Sequence, residues 1–150
     1  MDKRVSLPLR LGVAGLGVAG RALLAPVERS GDVRLVAVAD PLVAARASVA
    51  TRFGARAHAT FDALLADDGV DAIYVATPTE LHATHAIAAA NAGKHVLVEK
   101  PMATSIADAD AMIAACERAG VVLMVGQSHG YDRPYAAIRA LIEGGSLGRV

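Results

Sequence analysis

The chain is 150 residues long, and its 15 Lys and Arg balance 15 Asp and Glu at formal net charge +0, the size and neutrality of one domain. Without a basic cluster, neither nucleic acid nor an anionic membrane surface is an expected partner. The N-terminal MDKRVSLPLR has charges but no apolar core behind them, and no stretch reaches the ~18 apolar residues of a membrane span, so a cytoplasmic protein is expected.

In chain order, Leu11 to Ala14 is a short apolar run suited to a buried parallel strand. Gly15, Gly17 and Gly20 follow at once in the spacing G-x-G-x-x-G, and a helix is expected from about Val18. In such a loop the first glycine permits a tight turn, the second lets a pyrophosphate approach the backbone, and the third lets the helix lie close on the strand. Gly15, Gly17, Val18, Ala19 and Gly20 are therefore candidate cofactor contacts, with the free N–H groups of the helix start facing an anion. Pro26 should kink or end this helix about two turns in.

Val33 to Ala39 is the second strand, and Asp40 ends it twenty positions after Gly20. A carboxylate there can accept hydrogen bonds from an adenosine ribose; alternatively it caps the next helix, since Pro41 follows. The same charge would repel a 2′-phosphate, which favours NAD over NADP. Leu42 to Phe53 reads as a helix stopped by Gly54, Ala55 to Ala59 as the third strand, Phe61 to Ala66 as a brief helix and Asp67-Asp68-Gly69 as a turn. Ala72 to Ala76 is the fourth strand. Thr79 is a candidate N-cap for a helix over Leu81 to Asn91 that stops at Gly93.

Lys94 to Val98 is the fifth strand, followed by Glu99-Lys100-Pro101; Ser105 and Asp108 open the next helix in a near relative of the capping box, and Gly120 ends it. Cys116, the single cysteine, excludes an internal disulfide; with Ile106, Ala109 and Ile113 at helical spacing it reads as a buried apolar thiol. Val121 to Val125 is the sixth strand and Tyr131 to Glu143 the last helix. Strands alternating with helices predict a doubly wound parallel α/β sheet, a Rossmann fold of order 3-2-1-4-5-6. That order puts Thr77, Pro78, Glu99, Lys100 and Pro101 on the same edge as the glycine loop.

Lys100 is the candidate catalytic residue: a hydroxyl losing hydride from its carbon must also lose its proton, and a fixed ammonium stabilises the developing alkoxide. A solvated lysine at a strand end is the alternative. Glu99 either contacts the nicotinamide ribose or orients Lys100, and the Lys100-Pro101 bond is a candidate for cis geometry. His82 and His85, at i and i+3, lack the further ligands of a metal site, so no metal is expected and helix-start packing is the better reading. The glycine fingerprint, Asp40, Thr77-Pro78-Thr79 with His82, and Glu99-Lys100-Pro101 resemble the N-terminal domain of the glucose-fructose oxidoreductase, inositol dehydrogenase and rhizopine-catabolism (Gfo/Idh/MocA) oxidoreductases.

The resemblance covers essentially the whole chain. It implies an NAD or NADP dehydrogenase acting on a small-molecule C–OH of a polyol or sugar, with the family lysine at Lys100 and cofactor contacts extending to Thr77, Pro78, His82, Glu99 and Gln127. It also implies a second, α+β domain after residue 150 that supplies the substrate pocket, a catalytic Asp/His pair and a homo-oligomer interface, so that residues 1–150 alone are expected to bind cofactor and not to turn over. Gly130 stands before Tyr131 where the common pattern has Arg. The run Gly126-Gln127-Ser128-His129, followed by the aromatic, is more similar to members that oxidise the cis-dihydrodiol of phthalate. Two other classes stay open: a chemistry-free NAD-binding sensor module, and an S-adenosylmethionine methyltransferase.

Overall fold

A computed structural model describes residues 7–128 and 133–149. Six strands, β1 (Leu9–Ala14), β2 (Val33–Ala39), β3 (Arg56–His58), β4 (Ala72–Val75), β5 (His95–Val98) and β6 (Leu123–Val125), form one parallel sheet in the order β3-β2-β1-β4-β5-β6. The expected strand order is the observed one. Side chains alternate across the sheet, so each strand feeds two cores. On one face Val13, Leu35, Val38 and Tyr74 pack with Leu16, Leu24, Val27 and Val49; on the other Ile73, Val75, Val96 and Val98 pack with Leu64, Ala86, Ala89, Met112, Ala115 and Cys116.

Helix boundaries follow local chemistry. The first helical stretch is broken into α1 (Val18–Ala22) and α2 (Leu24–Arg29) at Leu23. Pro26 accounts for the break, because it has no N–H for the carbonyl of Ala22 and its ring crowds that carbonyl, while it fits the first turn of α2. Helices α3 (Val43–Phe53) and α6 (Ile106–Ala119) both end on left-handed glycines, Gly54 at φ 63° and Gly120 at φ 65°. Between them lie α4 (Phe61–Leu65), capped by Thr60, and α5 (His82–Asn91); α7 (Arg133–Glu143) comes last.

Ser105 caps α6 as expected: its Oγ accepts from Asp108 N at 3.1 Å and donates to Asp108 Oδ2 at 2.7 Å. Two expectations are corrected. Thr79 is not an N-cap; residues Thr79–Leu81 form a 3-10 turn led by Pro78, and α5 starts only at His82. Cys116 is buried, and burial pushes its thiol up, but the buried face of α6 is Met112, Ala115 and Cys116; Ile106 and Ile113 are exposed, because 100° per residue carries them off that face. His129 and Tyr131 lie outside the described residues. No helix among those described is long and apolar enough to cross a membrane.

Candidate functional site

The carboxyl ends of four neighbouring strands are laced in a row. Each chain leaving its strand donates once more to the last carbonyl of a neighbour: Gly15 N to Ala39 O, Ala76 N to Ala14 O, Glu99 N to Val75 O and Gly126 N to Val98 O, all at 2.8–2.9 Å. Gly15, Ala76, Glu99 and Gly126 thus sit in register along one edge, with Asp40 N tied to His58 O beside them. This is the edge at which open parallel sheets bind ligands.

The three loop glycines meet three different constraints. Gly15 has φ +90°, and a Cβ there would press on the Ala76 carbonyl. A Cβ on Gly20 would collide with the Gly15 carbonyl oxygen, so helix and strand can close only around hydrogen. Gly17 is the opposite case: a Cβ would meet no atom within 4 Å, so nothing inside the fold asks for glycine. The space left bare is on the outside of the loop, where an anion would lie against backbone N–H groups. The residues present therefore fit a dinucleotide pyrophosphate.

Asp40 does more than end a strand. Its Oδ2 accepts from Leu16 N inside the glycine loop and its Oδ1 from Leu42 N at the start of α3, both at 2.8 Å. Arg21 Nε holds the other side of the same loop residue, donating to Leu16 O at 2.8 Å, and Arg46 Nη1 donates to both Asp40 O and Pro41 O at 2.9 Å. The capping alternative is corrected: the N-cap of α3 is Leu42, and Asp40 instead closes a turn onto Leu42 N ahead of the helix while clamping the glycine loop, and each carboxylate oxygen keeps a second lone pair for a further donor.

Two clefts flank the loop. One, of about 750 Å³, is walled by Gly15, Gly17, Val18, Asp40, Thr77 and His85 among others. Its far wall is stiffened by His85, which stacks on Phe61 at 4.0 Å between centroids and meets Thr77 Oγ1 through Nδ1 at 3.1 Å. Burial lowers the His85 pKa, against an opposite pull from Asp62 and with a smaller contribution in the same direction from the neighbouring His82. The second cleft, of about 450 Å³, is lined by Ala19, Pro26, Tyr74, Glu99, Gly126 and Gln127, among others.

Glu99 is held at both oxygens. Tyr74 Oη donates to Oε1 at 2.6 Å, and the N–H of Lys100 donates to Oε2 at 2.9 Å. Burial first, then the Glu99 hydrogen bond and charge, push the Tyr74 phenol above its ordinary value, so it stays a donor. Lys100 is exposed, its ammonium has no described hydrogen bond or ion pair, and the Lys100-Pro101 bond is cis.

The edge thus gathers Gly15, Gly17, Val18, Ala19, Asp40, Thr77, Pro78, Glu99 and Gln127 around the two clefts, with Gly20 behind the loop and Lys100 beside them. His82 is 1% exposed and lies beneath the Thr77 turn, in the wall of neither cleft. Tyr74 was not singled out by its sequence: one tyrosine in the apolar run AIYVA reads as core, and only the sheet register brings its hydroxyl to Glu99. Among the described residues no group of three or more His, Cys, Asp or Glu side chains could hold a metal ion.

Comparison with known proteins gives the same domain. Residues 9–127 match a family model described as "Oxidoreductase family, NAD-binding Rossmann fold" (GFO_IDH_MocA). The 1-carboxy-3-chloro-3,4-dihydroxycyclo hexa-1,5-diene dehydrogenase of Comamonas testosteroni is 41% identical over 143 residues, which are 95% of this chain and 36% of that protein. Among solved structures, the WlbA dehydrogenase of Bordetella pertussis, in complex with NADH and UDP-GlcNAcA, superposes with a TM-score of 0.90 at 33% identity, over 97% of this chain and 42% of that one. KijD10, a 3-ketoreductase of Actinomadura kijaniata in complex with NADP and TDP-benzene, superposes at 0.85 with 32% identity, over 92% and 43% of the two chains. The chain spans well under half the length of these relatives.

Proposed function

Because the chain belongs to the Gfo/Idh/MocA oxidoreductase family as its NAD-binding Rossmann domain, we propose that it binds NAD across the glycine loop and serves hydride transfer to or from a secondary C–OH of a small molecule. The observation that carries the reading is the convergence on one sheet edge of a bare-backbone Gly17, the Asp40 carboxylate and the Glu99-Lys100-Pro101 turn. In this reading the adenosine lies in the larger cleft with its ribose on Asp40, and Thr77 and Pro78 form the wall. The nicotinamide end lies past Val18 and Ala19, toward Glu99 and Gln127. Neither the methyltransferase nor the sensor alternative gains support from the relatives.

NAD, when bound, supplies the hydride acceptor. The chain's own part is to place an ammonium where negative charge grows: Lys100 hydrogen-bonds the substrate oxygen as hydride leaves its carbon, which lowers the cost of the alkoxide-like transition state, while the hydroxyl proton passes to a base of the proposed substrate domain. Tyr74 and the Lys100 N–H occupy Glu99, so Glu99 orients the turn and leaves the Lys100 ammonium available to substrate. Asp40 disfavours a 2′-phosphate by charge, which supports NAD over NADP; one relative's NADP complex makes this the point to test.

The remaining parts of the reading concern the whole protein. A substrate domain follows residue 150, closes the pocket over Lys100 and carries a homo-oligomer contact; the share of the relatives' length that the chain covers supports this. A ring diol is the favoured substrate class, since a relative at 41% identity is named for a dihydroxylated, carboxylated ring. A cytoplasmic location belongs to the same reading, because a dehydrogenase works where its cofactor pool is.

Calorimetric titration of the chain with NAD, NADP and S-adenosylmethionine tests the proposal, with Asp40→Ala and Asp40→Asn alongside. Saturable NAD binding, weaker NADP binding, and a loss on Asp40→Ala that is larger for NAD than for NADP are expected. Tighter binding of S-adenosylmethionine, or NAD binding indifferent to Asp40, would refute it.

A further inference from the structure

His82 opens α5, yet its ring bonds to nothing in that helix. Nε2 lies 2.9 Å from Thr77 O and Nδ1 lies 3.0 Å from Pro101 O, with the side chain buried. These carbonyls belong to the two turns that leave the neighbouring strands β4 and β5. The sheet couples those strands as far as Val75 and Val98, and the bond from Glu99 N to Val75 O is the last described backbone link between them. Past that point the turn walling the larger cleft and the turn carrying Lys100 run on separately, and among the described hydrogen bonds only the His82 ring joins them.

Both partners are carbonyl acceptors, and either ring nitrogen can present a hydrogen to the one it faces, so a single ring spans the gap between the turns. No shorter side chain reaches two carbonyls in opposite directions, and no aliphatic one can donate. We propose that His82 is a positioning residue that cross-links the Thr77 turn to the Pro101 turn, and so sets the placement of Lys100 relative to the cofactor cleft. The proposal rests on the reading of these two turns as one NAD site, and assigns His82 a role through the turns, without contact to the cofactor.

The test uses the 15N-labelled chain and NADH as the probe. In His82→Leu, amide resonances are expected to move in both turns, at Thr77 and Thr79 and at Glu99, Lys100 and Met102, while those of Gly15 to Gly20 stay in place. NADH affinity is expected to fall roughly tenfold, the scale of one or two lost buried hydrogen bonds. His82→Gln, whose amide still donates, is expected to recover part of both effects, which a loss of packing alone would not do. Movement confined to the Thr77 turn, or affinity within about twofold of wild type with both turns displaced, would overturn the proposal. Should His82→Leu not fold, the His82 ring resonances of the wild-type chain decide: a ring N–H slow to exchange and coupled through its hydrogen bond to the Thr77 or Pro101 carbonyl is expected, and a ring N–H in fast exchange with no such coupling overturns the cross-link. Failure of the wild-type chain to bind NADH would instead refute the proposed function, while the amide pattern still reports on the cross-link.

Discussion

Asp67 shows how much one turn residue can hold beside the edge strand β3. Its Oδ2 accepts from Arg56 Nε at 2.6 Å and faces His58 Nε2 at 3.0 Å, while Oδ1 accepts from Gly69 N at 2.9 Å. The Arg56 hydrogen bond is the largest cause holding its carboxyl well below the usual range, at about 2. Since the folded value lies below the unfolded one, the stabilisation is complete above pH ~4 and is lost as pH falls through about 2. Arg56 is half exposed, so screening leaves on the order of 1–2 kcal/mol. Asp67→Asn is therefore expected to lower the urea midpoint at pH 7 and to leave it nearly unchanged at pH 2, as intrinsic fluorescence or circular dichroism would record. A drop of equal size at both pH values would mean that Asp67 acts through packing. The sequence marks Asp67 only as part of a turn; its partners come from β3, a three-residue strand whose alternation aims Arg56 and His58 the same way.

At the scale of the element, the glycine loop separates folding from function. Gly17→Ala adds a methyl that touches nothing in the fold, so stability is expected to fall by no more than ~1 kcal/mol, the cost of alanine at an N-cap, while NADH affinity falls by on the order of tenfold, because the methyl occupies the anion's approach. Gly20→Ala forces the helix off the Gly15 carbonyl and is expected to destabilise by at least ~1–3 kcal/mol. Thermal unfolding with a fluorescence titration on the same samples checks both, and equal effects from the two substitutions would contradict the division. Helix α6 gives a third case: Ser105→Ala removes the N-cap acceptor of Asp108 N and should cost ~1 kcal/mol, a fall of roughly 2–4 °C in unfolding temperature. Loop, cap and glycine stops were legible from residue types because each is local. The start of α5 was not, since Pro78 leads a 3-10 turn and the deciding contacts of His82 lie nineteen residues away at Pro101.

For the whole molecule, strand order followed from alternation and handedness, and the sheet edge then brought together residues that lie far apart in the chain. What alternation could not supply was the pairing of side chains across that edge: Tyr74 with Glu99, Asp40 with Leu16, His82 with Pro101. Two packed layers make the scaffold stiff, and Met112 of α6, 0% exposed in the core that α5 and α6 share with the sheet, is the test of one of them; Met112→Ala should cost ~2–5 kcal/mol in chemical unfolding. The other face is open over β5 and β6, where Val122 and Met124 are 61% and 52% exposed, so charged substitutions there are expected to be nearly neutral in this chain. If one edge of this sheet holds NAD in one direction, a crystal structure of the chain with NADH measures it directly. The pyrophosphate is expected against Gly17, the adenosine ribose on Asp40, and the nicotinamide beside Glu99 and Gln127 within reach of Lys100. A dinucleotide lying in the reverse direction, or bound away from this edge, would contradict it.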